Sequence, residues 1–129
     1  MKFYAILLAV LWVLRVSLSL TSLLMGQHPL YMLNHAADLV VLTLAMAGAM
    51  QAGFGKVWLP RFTPNHWRMV SRGTLLLGAL STLLYTHGEA IGVPATAGPG
   101  LMQVGIVFLP YLLFSIPVIV LEHELRKKA

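Results

Sequence analysis

From residue 3 to residue 25 the chain carries a single charge, Arg15, within an apolar run long enough to cross a bilayer. Inside lipid, backbone N–H and C=O groups must be paired within the segment or in a closed barrel, so such a run folds as a helix. Three further runs follow, at about 35–54, 64–85 and 101–121. Four spans of roughly 20 residues and their short connections use up the 129 residues. The expected architecture is therefore all-α: one domain, 1–129, forming a four-helix transmembrane bundle with short loops.

Composition agrees with that reading. Apolar residues make up 58% of the chain and charged residues 10%, whereas soluble domains carry about a quarter charged residues because their surface faces water. The absence of cysteine excludes disulfides, thiolate metal sites, iron–sulfur clusters and thiol nucleophiles. A basic start followed by an apolar run also describes a signal peptide. No small-x-small cleavage pattern follows this one, so it is read as a retained helix.

The net charge of +5 does not point to nucleic acid, because the basic residues fall in short clusters beside the apolar runs. Lys2 precedes the first span. Lys56, Arg61, Arg68 and Arg72 surround the second connection, and Arg126, Lys127 and Lys128 follow the fourth span. Eight of nine basic residues thus fall on one side, and the first and third connections carry none. Basic residues in short loops stay cytoplasmic, so both termini and the 55–65 connection are predicted to face the cytoplasm. A bacterial-type inner (plasma) membrane is the expected location. Trp58 and Trp67 flank the basic connection, where indoles favour the interface.

Local signals refine the segments. Gly26-Gln27-His28-Pro29 breaks the first run, and Asn34 is a candidate cap for a second helix from about residue 35. That helix carries small residues four apart, Ala45/Ala49/Gly53 and Gly48/Ala52, which allow close helix approach and predict a central or oligomer-forming helix. Thr63-Pro64 reads as a cap followed by proline at the first helical position. Pro110 and Pro117 each remove a backbone hydrogen bond from the fourth span, which predicts a kink unless neighbours satisfy the freed carbonyls. The tail pairs Glu122 with Arg126 and Glu124 with Lys128 at helical spacing.

Arg15 is the most informative residue. A cation in hydrocarbon costs about 2.5–3.5 kcal/mol on insertion scales and normally faces a partner or a cavity. Asp38, a few residues below the outer surface, is the only other charge expected to be buried within a span, and the two levels differ by roughly 5–10 Å at about 1.5 Å per residue, a gap a guanidinium can partly cover. An intramembrane ion pair between Arg15 and Asp38 is expected. His35 lies three residues before Asp38, on the same helix face. A carboxylate beside an imidazole can fix its tautomer for metal or proton work. His-x-x-Asp at the start of a span is similar to a pair found in small four-helix membrane families such as the SirB-like proteins. That likeness of two residues implies neither membership nor activity.

The outer end collects His28, Tyr31, His35, Tyr85, His87 and Glu89. His35, Asp38 and His87, with Tyr31, Tyr85 and Glu89 at the rim, form a candidate ligand site for a metal or a quinone. No compact metal-binding spacing is present, and the identity of any metal is open. His66 and His87, with about 31 Å of helix between them, are too far apart along one span for a pair of buried haems, although a haem elsewhere remains compatible with the sequence. Ser17, Ser19, Thr21 and Ser22 make the outer half of the first helix polar. Nothing resembles a Ser/His/Asp triad or a phosphate loop, so no catalytic residue is assigned and an enzymatic activity is not expected.

Three functional readings follow. The first is a non-catalytic accessory or structural subunit of a larger membrane complex, with the bilayer and other membrane subunits, or further copies of itself, as partners. The second is a redox protein linked to quinone or haem through the outer histidines. The third is a small oligomeric transporter or channel whose path passes Arg15 and Asp38.

Overall fold

The computed structural model describes residues 2–26, 28–92 and 100–128. Its long elements are α1 (Lys2–Met25), α2 (Pro29–Phe54), α3 (Pro64–His87) and α4 (Leu101–Lys128), with a short 3-10 turn, Gly88–Ile91, after α3. Among the described residues every regular element is helical. Residues 93–99 of the third connection lie outside the described residues.

The helix ends follow local chemistry. Pro29 occupies the first turn of α2 and the His28 side chain accepts the Leu30 N–H, at 3.2 Å through Nδ1. The expected start near residue 35 is thereby corrected. Proline at a first helical position opens a helix because its missing N–H would be unpaired there anyway. Asn34 is consequently no cap but a buried residue inside α2. That helix ends on Gly55, whose φ of 70° is the left-handed conformation glycine adopts without strain. At α3, Thr63 Oγ1 accepts the His66 N–H while His66 Nδ1 accepts the Thr63 N–H, a reciprocal cap.

α2 packs against all three other helices. Its small residues make this possible. Ala45 and Ala49 are fully buried, and a Cβ at Gly48 would stand 3.0 Å from Trp67 Cζ3 and 3.0 Å from Val118 Cγ2. Trp67, in the first turn of α3, is 0% exposed and fills that space, so its indole packs against other helices. Trp58 is 51% exposed. The core continues through Leu8, Leu42, Met46, Phe114 and Val118.

α1, α2 and α4 are long and apolar enough to cross a membrane. α3 equals α1 in length but falls outside that group, because Arg68 and Arg72 in its first turns and the serines, threonines and glycines among its leucines lower its hydropathy. Those small polar residues lie inside. Ser71, Thr74, Gly78, Ser81, Thr82 and Thr86 are buried, whereas Met69, Leu76, Leu80 and Leu83 are exposed. Thr74, Thr82 and Thr86 donate to the carbonyls one turn back, at 2.7, 2.7 and 2.6 Å, so burial leaves these hydroxyls paired.

α4 runs as one helix through both prolines. Pro117 cannot donate to the carbonyl of Leu113. That oxygen instead accepts from Tyr4 Oη of α1 at 2.6 Å. At the end holding residues 55–63, Arg68 and Arg126 both donate to Glu122 Oε1, at 2.8 and 3.1 Å, and Arg126 also reaches Asn65. Burial works against the Glu122 charge, but the hydrogen bonds and charges of Arg68 and Arg126 outweigh it and hold the carboxyl below its ordinary range. Glu122 therefore pairs as its spacing predicts, while Glu124 and Lys128 form no ion pair among the described residues.

Candidate functional site: a polar centre beneath an outer groove

Each helix contributes a side chain to one buried polar centre. Arg15 Nη2 on α1 donates to Asp38 Oδ2 on α2 at 2.9 Å and to the Tyr111 hydroxyl of α4 at 2.9 Å. Tyr111 Oη donates to Asp38 Oδ1 at 2.7 Å and lies 3.0 Å from Ser81 Oγ of α3. Ser81 in turn donates to Asn34 Oδ1 of α2 at 2.5 Å. Asp38 is 2% exposed and has a donor on each oxygen, as a buried carboxylate requires.

Helix packing sets this geometry. A Cβ at Gly78 would come within 2.6 Å of Tyr111 Cβ, so only glycine there lets α4 press Tyr111 flat against α3. The hydroxyl then reaches across to α2. The Arg15 side chain is 26% exposed, and its Cζ stands 5.2 Å from the Tyr111 ring centroid, within cation–π range. Its Nε is buried without a partner, as is Asn34 Nδ2.

Above the centre a groove of about 780 Å³ opens, lined on α1 by Arg15, Leu18, Ser19 and Ser22 and at the start of α2 by His28, Tyr31 and His35. Tyr85 of α3 and the apolar Ile106, Val107 and Pro110 of α4 complete it. His35 Nε2 lies 3.3 Å from Tyr85 Oη, and the Tyr31 and Tyr85 rings are 4.9 Å apart. The groove exists because α1 rests on α2 and touches α4 only sparsely.

Arg15 and Asp38 meet, and His35, Tyr31 and Tyr85 share the groove beside them. Two residues expected at this end stand elsewhere. His87 bonds Thr86 Oγ1 through Nδ1 at 2.7 Å and borders a separate, largely apolar groove of about 610 Å³ with Leu80, Leu83 and Leu84. The inward face of α3 passes through Thr82 and Thr86, and one further residue turns the helix by about 100°, which carries His87 away. Glu89 is exposed on the 3-10 turn. Among the described residues no group of three or more His, Asp or Glu side chains is placed to hold a metal ion.

Tyr111, Ser81 and Asn34 do not stand out in the sequence as members of this centre. Tyr111 had one signal: a phenol in the middle of an apolar run must find a hydrogen-bond partner when buried. Compared with known family models, with characterised proteins and with solved structures, the chain matches none.

Proposed function

We propose that this chain is an integral membrane protein in which all four helices cross the bilayer as a four-helix bundle. Both termini and the 55–65 connection face the cytoplasm, in a bacterial-type inner membrane, and the protein serves as a non-catalytic accessory or structural subunit of a larger membrane complex. The observation that carries this reading is the inverted burial of the helices. Hydroxyl groups of α3 point inward while Leu76, Leu80 and Leu83 point outward, the arrangement lipid selects and water rejects. The role as a subunit draws on α1. Its fully buried residues are Ala5, Leu8 and Ser19, so most of its circumference is an apolar surface for lipid or a partner's helix.

Reporter fusions at each terminus test the topology; ends on opposite sides would refute it. For the subunit role, a photo-crosslinker at Leu7, Leu14 or Leu18 in native membranes is expected to capture a larger membrane protein, and the native mass to exceed any multiple of this chain. A homogeneous monomer or homo-oligomer crosslinked only to itself or to lipid would refute it. The homo-oligomer outcome favours a second reading, a small transporter, which draws on the polar chain from Arg15 through Asp38, Tyr111 and Ser81 to Asn34 inside the bundle.

A further inference from the structure

We propose that the outer groove binds the carbonyl-bearing ring of a membrane quinone, with the quinone tail leaving between α1 and α4 into lipid. The inference rests on the transmembrane reading above, and the terminal fusions test that reading independently.

The groove presents hydrogen-bond donors, some of which also accept. Arg15 serves Asp38 and Tyr111 through Nη2 and lines the groove with its side chain 26% exposed, and the hydroxyls of Ser19, Ser22 and Tyr85 both donate and accept. His28 accepts the Leu30 N–H through Nδ1, so the proton of its neutral ring lies on Nε2 as a further donor. Asp38, the carboxylate at the site, already receives a donor on each oxygen. Such a lining can donate to a ligand that accepts hydrogen bonds, with the guanidinium as its strongest donor.

Charge narrows the choice. Arg15 and Asp38 compensate each other at 2.9 Å, so an anionic head would bring an uncompensated charge into a low-dielectric site. A neutral carbonyl accepts the same donors without that penalty. The Tyr31 and Tyr85 rings in the lining suit a flat conjugated ring by offset or edge contact. Leu18 of α1 and Ile106 and Val107 of α4 line the same groove and provide apolar contact for a tail between these two helices. The volume of about 780 Å³ falls within the usual range of small-molecule sites, roughly 300–1,000 Å³.

The test is calorimetric titration of the protein in lipid nanodiscs with a decyl-tailed benzoquinone, its hydroquinone, and laurate as a carboxylate amphiphile. Saturable one-to-one binding of the quinone is expected. The hydroquinone, whose hydroxyl oxygens accept from a guanidinium more weakly than a carbonyl does, is expected to bind more weakly. Leu18→Phe and Val107→Phe, which fill the groove from exposed and half-buried positions, should each weaken quinone binding by at least about tenfold. Their helical circular dichroism and thermal midpoints should match those of the parent. Unsaturable uptake by the parent, equal binding by both folded variants, or equal binding of the hydroquinone would overturn the proposal. Laurate displacing the quinone at equal concentration would overturn it in favour of a fatty-acid site.

Discussion

The Tyr111 hydroxyl donates to Asp38 Oδ1 across 2.7 Å, tying the last helix to the second inside the bundle. The same oxygen receives Arg15 Nη2 at 2.9 Å, so one phenol supports both members of the ion pair. Tyr111→Phe keeps the ring and removes that support. Leaving a buried charged group short of a donor costs about 1–3 kcal/mol or more, and a matching fall in the thermal midpoint in detergent or nanodiscs is expected. An unchanged midpoint would show that the hydroxyl is dispensable.

Gly78→Ala attacks the same contact from the other side. The added methyl would fall 2.6 Å from Tyr111 Cβ, so α3 and α4 must move apart. Overpacking of this kind costs about 1–3 kcal/mol. Gly73→Ala, a position with nothing within 4 Å of an added Cβ, is the matched control and should be neutral or slightly stabilising. Equal behaviour of the two variants would contradict the close approach.

Arg15→Gln and Asp38→Asn should each destabilise by about 3–5 kcal/mol, because each leaves an uncompensated buried charge. The double variant should recover much of that loss. A coupling energy near zero in the double-mutant cycle would mean that the two charges act independently.

Tyr4→Phe removes the donor that satisfies the Leu113 carbonyl freed by Pro117. The expected loss is about 1 kcal/mol. In a Pro117→Ala background the helix regains its own backbone donor, and the tyrosine substitution should then matter less. Additive effects of the two changes would argue against this coupling.

The Arg68–Glu122–Arg126 cluster predicts a pH dependence. The carboxyl is held below its ordinary range, so its contribution is fully present above the unfolded value of about 4.3 and is lost as pH falls through the lower folded value. Parent and Glu122→Gln should therefore differ in thermal midpoint at pH 7 and converge only once the pH has fallen below the lowered folded-state value. A difference that persists in acid would assign the effect to packing.

Much of this was legible in the sequence, and the misses have physical causes. Arg15 and Asp38 announce themselves because charge in an apolar run demands a partner. α3 was legible as a long helix from its length and caps; Arg68, Arg72 and its hydroxyls lower its hydropathy, and only the fold shows that the hydroxyls point inward. Pro29 reads as a breaker or as a first-turn residue with equal ease, and His28 decides between them by capping. Trp67 carries the interfacial signal of any indole near a basic loop, and it is buried because Gly48 on another helix leaves room for it. Tyr111 joins the centre through a pairing between helices distant in sequence, which no local pattern encodes. His87 was expected beside His35 from membrane level alone, and helical phase separates them.

Chain order gives the Arg15–Asp38 pair a meaning in time. In the proposed topology α1 leaves the ribosome before α2 and carries its guanidinium forward before the counter-charge has emerged. An unpaired arginine at mid-membrane is disfavoured by about 2.5–3.5 kcal/mol, so the first helix has reason to wait at the insertion site until α2 arrives. The α1–α2 hairpin is then the earliest unit with no net intramembrane charge. Tyr111 is translated last of the group, and its hydrogen bond to Asp38 closes the centre only after α4 has been made.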